Sequence, residues 1–385
     1  MKTLSLINYV NRKGLNSKRL DGMVLFDYGK TVQFESDWDE TTLSARGIVF
    51  DESTGKVLAR PYSKFFNYEE LVGEAGLKLP IKYRPNLYGE FMALEKADGS
   101  CGIAYYHKEK WRVNTRGAFE SEQAVWATEF LNTNIHTELM NPNWTYLFEI
   151  IYPENRIVVN YGNLRTLRLT GIIITDTGEE LWIDELRAEA DKIGCEVVEA
   201  FKFTSLEEMF AAREKLTVNE EGYVITYKNG YKFKLKGEMY CKVHRAISHM
   251  TPLSFWRAVD FEKTMRLPKE FLELLPEEFR DTVDALTKVT EDLHVNMYEN
   301  VCKLADSLPK FDDSAAGKKA RYMWIKENIP VEFTSDVLGI ISAREFGDGN
   351  DWKVRETIHR RLRPTGNNFE GIELDPRLKR ILEET

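Results

Sequence analysis

Lys96, in Lys96-Ala97-Asp98-Gly99-Ser100, is a lysine that two later elements could turn from a surface amine into a nucleophile. One is an isolated glutamate in Leu147-Phe148-Glu149-Ile150. The other is a hairpin running from Glu221-Gly222-Tyr223-Val224-Ile225 to Phe233-Lys234-Leu235-Lys236. The pentapeptide alone decides nothing, because Asp-Gly is a common turn signal and a neighbouring lysine is ordinarily a solvated loop residue. The hairpin is more informative. Asn229-Gly230 favours a two-residue type I′ turn, and counting outward from it pairs Lys228 with Tyr231, Ile225 with Lys234 and Tyr223 with Lys236. Paired residues share a face and successive ones alternate. This register therefore puts Glu221, Tyr223 and Ile225 with Lys234 and Lys236, and Val224, Phe233 and Leu235 on the opposite, core-seeking face. A carboxylate with two ammonium groups on one face is either a solvated outer surface or a charged site.

The elements that must position these groups belong to a 385-residue chain, 43% hydrophobic and 30% charged, as in ordinary globular proteins. The formal charge of −9 excludes a simple basic nucleic-acid coat. It leaves room for a local positive groove. Lys228, Lys232, Lys234, Lys236, Lys242 and Arg245 face a single acid, Glu238, within residues 228–245. Cys101, Cys195, Cys241 and Cys302 show no paired spacing, so neither a zinc knuckle nor a disulfide framework is expected. The first residues are too polar for a signal peptide and no apolar run reaches the ~20 residues of a membrane span. The expectation is a cytoplasmic protein with no membrane partner.

From about residue 22 to 236 the pattern is short strands with turn punctuation. Strands are predicted at 23–26, 47–50, 56–60, 101–106, 111–115, 146–151, 156–160 and 167–175, with helices at 183–193 and 206–216. After His249-Met250-Thr251-Pro252 strand alternation stops. Phe279, Val283, Leu286, Val289, Leu293, Met297, Val301 and Leu304 recur at helical spacing, and further helices are predicted over 314–328, 336–346 and 351–362. A boundary near residue 248 separates residues 1–248, mixed α/β and catalytic, from an all-helical 249–385.

Taken in order, Lys96-Ala97-Asp98-Gly99-Ser100, Glu149, Glu221-Gly222 and Lys234-Leu235-Lys236 resemble motifs I, III, IV and V of the covalent nucleotidyltransferases: ATP-dependent DNA and RNA ligases and capping enzymes. Four further stretches narrow the resemblance to the bacteriophage RNA ligase 1 family. They are Arg46-Gly47-Ile48-Val49-Phe50, Pro61 to Glu69, Asn155-Arg156-Ile157-Val158 and Lys236-Gly237-Glu238-Met239-Tyr240. The resemblance covers roughly residues 40–245.

The resemblance implies an α+β fold, a two-sheet, ATP-grasp-like nucleotidyltransferase domain followed by an all-α domain that selects RNA. It implies an ATP-dependent RNA ligase of RNA repair, using Mg²⁺ or Mn²⁺. Lys96 would attack the α-phosphate of ATP, AMP would pass to an RNA 5′-phosphate, and a 3′-hydroxyl would then expel AMP. The substrate would be single-stranded or nicked RNA and the enzyme a monomer. Lys234 and Lys236 would lower the Lys96 pKa from its usual ~10.4 and offset phosphate charge. Glu221 would hold the metal or its water, and Glu149 the ribose or the metal. Arg46 and Lys64 would face the β- and γ-phosphates. Glu95 and Arg116, the latter in the place of a motif Ia basic residue, would join the nucleotide contacts, and Gly99 would let the backbone approach the nucleotide. Tyr240 and His244 are expected near the hairpin. Lys318-Lys319-Ala320-Arg321 and His359-Arg360-Arg361-Leu362-Arg363 are either solvated helix faces or phosphate contacts.

Two other readings share these residues. DNA ligases and capping enzymes follow motif V with a β-rich domain, against the helical periodicity here. An RNA-binding or regulatory protein on a ligase-like scaffold would tolerate loss of the lysine or the acids, all of which are present.

Overall fold

The computed structural model describes residues 4–72, 87, 89–248, 251–273, 280–346 and 351–364. The chain divides into two units, residues 1–242 and 243–385.

The first unit opens with α1 (Leu6–Asn11), β1 (Leu15–Leu20), β2 (Met23–Tyr28), α2 (Lys30–Glu35), α3 (Glu40–Ser44), β3 (Arg46–Asp51) and β4 (Val57–Ala59). It continues through β5 (Phe66–Asn67), α4 (Tyr68–Val72), β6 (Phe91–Glu95), β7 (Ser100–His107), β8 (Lys110–Asn114), α5 (Glu122–Asn134), β9 (Trp144–Ile151) and β10 (Thr166–Ile174). It closes with α6 (Ile183–Ile193), β11 (Glu196–Val197), β12 (Ala200–Phe201), α7 (Leu206–Arg213), β13 (Gly222–Tyr227), β14 (Lys232–Lys236) and α8 (Glu238–Ser248), within which the division falls.

These strands make three sheets among the described residues, not the expected two. Their orders are β1-β2-β3-β4, β11-β10-β9-β7-β8 and β12-β6-β13-β14-β5. The extra sheet exists because β2 and β3 are buried on both faces. Val24, Phe26, Ile48 and Phe50 pack under Tyr9 of α1, while Met23, Leu25 and Val49 pack on Ile103, Leu147 and Ile173 of the second sheet. Met92 and Leu94 of the third sheet meet Ile151 of the second.

Residues 156–160, predicted as a strand, do not form one. Their backbone N–H groups are drawn to a side chain instead, since those of Val158 and Val159 both donate to Asp98. Helix α7 ends at Arg213, short of the expected 216.

The hairpin register is one residue off the expected one. Tyr223 pairs with Leu235, Val224 with Lys234, Ile225 with Phe233 and Gly222 with Lys236. The turn has three residues, not two: Tyr227 N–H donates to Tyr231 O at 2.8 Å, and Gly230 takes the left-handed conformation at φ +84°. Asn229, which a type I′ turn would hold at positive φ, is not left-handed. Its Oδ1 accepts from the Tyr231 N–H at 2.9 Å. Tyr223, Ile225, Phe233 and Leu235 consequently share the core face. Lys232, Lys234 and Lys236 keep the other, now opposite Thr226, Val224 and Gly222.

The second unit contains α9 (Pro252–Ala258), α10 (Lys269–Glu273), α11 (Arg280–Asp306), α12 (Ala315–Asn328), α13 (Thr334–Phe346) and α14 (Trp352–Arg361). Phe279, His249 and Met250 lie outside the described residues. The buried stripe of α11 follows Val283, Leu286, Thr290, His294 and Val301, whereas Leu293, expected inside, is exposed. His294 takes the inward position because its ring is hydrogen-bonded on both nitrogens. No described helix is long and apolar enough to cross a membrane.

Candidate active site

Strand β6 delivers the nucleophile candidate. It ends at Glu95, and the Lys96 N–H then donates to Gly222 O at 2.9 Å, which ties Lys96 to the start of β13. Gly222 sits at φ +141°, and a Cβ there would lie 2.1 Å from Leu235 O, so only glycine fits. That break in the alternation matters. By strict alternation Glu221 would point with Tyr223 into the core, but its carboxylate turns to the lysines. Lys96 Nζ donates to Glu221 Oε2 at 2.7 Å and Lys236 Nζ pairs with Oε1 at 2.8 Å. Glu221 is only 4% exposed.

Lys234 stands between these groups in sequence and apart from them in pairing. Among the described residues no carboxylate lies within ion-pair distance of it. Burial first, then the charges of Lys96, Lys236, Lys64 and Arg46, push its ammonium well below the ordinary lysine value. Glu149, on β9, is in the reverse position. Burial and the neighbouring carboxylates Glu221 and Asp98 outweigh Lys96 and push it up to about 8.

The expected lowering of Lys96 is not what the structure gives. Burial does act downward on its ammonium, but the carboxylates of Glu221 and Glu149 outweigh it, and the net shift is upward. Glu221 touches Nζ directly and Glu149 and Asp98 add to its pull, so the anions win. Glu221 is held below the usual carboxylate range, the Lys96 and Lys236 charges outweighing burial.

Asp98 is a clamp. Its Oδ2 accepts from the Val158 and Val159 N–H groups, each at 2.8 Å, and its Oδ1 from the Tyr240 hydroxyl at 2.8 Å, while its own N–H donates to Tyr161 OH at 2.9 Å. The loop after Lys96 is thereby fixed to β9's outgoing segment and to the first turn of α8. Tyr240 does lie beside the hairpin, 5.1 Å from Lys236 Nζ to ring centroid. Its bond to Asp98 was not foreseen, although Tyr240 follows Lys236 by only four residues. Gly99 makes its close approach to protein: a Cβ there would be 2.5 Å from Ile150 O.

Arg46, Lys64 and Arg116 form an outer set. Arg46 Nε is buried without a hydrogen-bond partner among the described residues, and the guanidinium lies 5.7 Å from the Phe65 ring. Lys64 Nζ donates to Tyr28 OH at 3.3 Å and sits among the rings of Tyr28, Trp38 and Phe66. Arg116 is already engaged, its Nε and Nη2 donating to Asp27 at 2.7 and 3.1 Å. Glu95 is not brought to the cluster; it accepts from Arg168 at 3.2 Å. Lys232, read from the sequence only as part of the basic run 228–245, is a further buried cation. It pairs with Glu180 at 2.7 Å and lies 3.5 Å from the centroid of Tyr62, whose hydroxyl donates to the same glutamate. Only its place in the β14 alternation could have signalled it.

The chemistry available is a lysine amine held on a carboxylate at a cation-lined face, suited to anionic, phosphate-bearing groups. Glu149 and Glu221 are hard oxygen donors in a place where Glu149 is pushed up by burial first and then by the carboxylates of Glu221 and Asp98, which fits a divalent ion that completes its shell with water and phosphate oxygens. No cluster of three or more acidic, histidine or cysteine ligands occurs among the described residues. A cavity of about 930 Å³ over β7, β8 and α5, lined by Tyr106, Trp111 and Arg112, contains none of these groups.

Comparison with known proteins agrees with this chemistry. The family model described as "RNA ligase" matches residues 44–240. The chain is 26% identical over 230 residues to an Autographa californica nuclear polyhedrosis virus protein named as a bifunctional polynucleotide kinase/RNA ligase, over 55% of this chain and 32% of that protein. It therefore spans about a third of that relative's length. It is 23% identical over 308 residues to an RNA ligase of Rhodothermus phage RM378, covering 64% of this chain and 69% of that one. Among solved structures, an archaeal ATP-dependent RNA ligase aligns with 84% of this chain and 86% of its own, at 14% identity and a TM-score of 0.44.

Proposed function

The chain belongs to the RNA ligase family, and we propose that it is an ATP-dependent ligase that joins an RNA 5′-phosphate to a 3′-hydroxyl through Lys96. The observation that carries this is the single carboxylate of Glu221 clasped by Lys96 and Lys236, beside Lys234, which has no ion-pair partner among the described residues. The neutral amine of Lys96 attacks the α-phosphate of ATP, forming a phosphorus–nitrogen bond as the α–β bond breaks and pyrophosphate leaves. AMP then passes to the RNA 5′-phosphate, and the 3′-hydroxyl of another end displaces it.

Each step leaves the chain's residues a definite task. Glu221 aims the Lys96 side chain and stores it as an ammonium, whose proton must be given up before attack. Lys234 and Lys236 meet phosphate oxygens, and binding an anion relieves the repulsion that Lys234 suffers in the free protein. Arg46 and Lys64 serve the β- and γ-phosphates, with Arg116 beyond them on Asp27. Asp98, held by Tyr240, keeps the Lys96 loop in place. Glu149 and Glu221 would hold Mg²⁺ or Mn²⁺, which when bound would neutralise the carboxylate charge that now retains the Lys96 proton. The RNA is single-stranded or nicked, the enzyme acts as a monomer, and the helical residues 249–385 select RNA without taking part in the chemistry.

Incubation with Mg²⁺ and either α-labelled ATP or α-labelled GTP tests the reading. Label should stay on the denatured polypeptide with ATP and not with GTP. Label from GTP alone would indicate a capping-type enzyme, and no label from either would indicate an inactive scaffold.

A further inference from the structure

The arginines of α14 are neutralised: Arg355 by Asp351 at 2.9 Å, Arg360 by Glu356 at 2.6 Å and Arg361 by Asp336 at 2.7 Å. Arg321 of α12 likewise pairs with Glu345. Lys318, Lys319 and Lys326 of the same helix have no carboxylate within ion-pair distance among the described residues.

Helix α12 buries Gly317 and Ile325, with Arg321 and Trp324 half-buried beside them. At about 100° per residue its opposite side carries Lys319, Tyr322, Met323 and Lys326, spaced three, four and seven apart, so that they form one patch. All four are exposed, Tyr322 by 42% and Met323 by 48%. Lys326 Nζ lies 5.1 Å from the Tyr322 ring centroid. Glu327, the helix's single acid, falls at the edge of this face. Isolated exposed apolar residues are ordinary. Here two adjoin between two lysines that have no carboxylate within ion-pair distance among the described residues, in a chain whose net charge is −9. A polyanion approaching such a molecule is repelled except at a local positive face.

We propose that the outward face of α12 binds single-stranded RNA, with Lys319 and Lys326 on phosphates and Tyr322 stacked on a base. The combination of lysines along a strand and an aromatic ring for a base is what single-stranded nucleic acids need, and base edges play no part in it. The proposal rests on the reading of the chain as an enzyme that joins RNA ends.

The test uses the full chain and a labelled single-stranded RNA without a 5′-phosphate, in the absence of ATP, with affinity followed by fluorescence anisotropy over a range of salt. Replacing both lysines (Lys319→Ala with Lys326→Ala) should flatten the salt dependence by about 0.7 per lost phosphate contact, about 1.4 in all. Tyr322→Ala should weaken binding about tenfold or more, and Tyr322→Phe should restore it, because stacking needs the ring and not the hydroxyl. Wild-type affinity and salt slope in the lysine variant would overturn the proposal. So would an undiminished affinity of Tyr322→Ala, which is the result expected if the face serves an acidic protein segment instead. Labelling of Lys96 by ATP is measured on the same samples and should be unchanged. If the unsubstituted chain takes no label, the nucleotidyl-transfer reading fails while the RNA measurement still decides the surface.

Discussion

Each unit buries a cluster of titratable groups, and the two clusters, around Lys96 and around His359, are built on opposite principles. Around Lys96 burial is combined with charge that does not balance locally: among the described residues Lys234 has no carboxylate within ion-pair distance, and Glu149 is pushed up by burial and by Glu221 and Asp98 despite Lys96. Around His359 burial is combined with neutrality. Its ring lies between Trp256 and Phe261, with centroids 4.2 and 4.6 Å away, and its Nδ1 meets His294 Nε2 at 3.1 Å. His294 Nδ1 in turn donates to Thr290 O at 2.8 Å, which makes its Nε2 the acceptor for the His359 proton. A satisfied neutral pair stabilises packing. An unsatisfied charged set stabilises the fold poorly and is completed by something that binds.

The largest effect expected is on Lys96. Lys96→Ala should abolish covalent labelling by ATP and still seal RNA that already carries a 5′-adenylate, since that substrate bypasses the first step. Normal labelling would move the nucleophile elsewhere. Lys234 sharpens the comparison because activity and stability should part company there. Lys234→Met should lower single-turnover adenylation by ~10²-fold or more, the loss typical of a charge-stabilising donor in a water-poor site. It should also raise the melting temperature of the ligand-free protein, because it removes a cation repelled by Lys96, Lys236, Lys64 and Arg46. A lower melting temperature with retained activity would place Lys234 in a balanced structural pair.

The partner residue Leu235 shows how far the sequence could be read. It is 1% exposed and packs with Tyr223, Ile225 and Phe233. Leu235→Ala should cost ~2–5 kcal/mol by opening a cavity, read by denaturant unfolding, and leave adenylation by the folded fraction nearly intact. Alternation within β14 makes that outcome legible without any knowledge of its partner strand. The pairing was not legible, because Asn229-Gly230 suits both a two-residue and a three-residue loop. The choice moves Tyr223 and Ile225 to the core while leaving the lysines in place. Glu221 was assigned to the lysine face by a register that did not form, and it reaches that face through the backbone break at Gly222. The Asp98 clamp was hidden for another reason: its partners Val158, Val159 and Tyr240 act through two backbone groups and one hydroxyl distant in sequence, which no spacing rule connects. The expected shift on Lys96 had the wrong sign because it weighed the lysines of β14 and left out the carboxylates of Glu221, Glu149 and Asp98, which together outweigh burial.

The smallest effect is expected at the neutral cluster, and it concerns pH. Burial first, then the charge of His294, hold His359 down at about 4, and burial lowers His294 as well despite its bond to Thr290 O. The rings of Trp256 and Phe261 face the pair, with Arg363 5.8 Å from the Trp256 centroid, so the aromatic neighbours offer no anion to a protonated imidazole. A base whose pKa is depressed by folding binds fewer protons folded than unfolded. The stability contributed by keeping it neutral is therefore fully present above the unfolded value of ~6.5 and is lost as pH falls from there toward about 4. Melting of the helical unit, followed between about pH 7 and about pH 4, should shift downward over that window. His359→Gln, which keeps a hydrogen-bonding side chain and cannot titrate, should flatten the His359 part of the profile while lysyl-AMP formation at neutral pH stays unchanged. An equally steep profile in the variant would show that other groups set the acid limit and that the contrast between the two clusters is not one of charge.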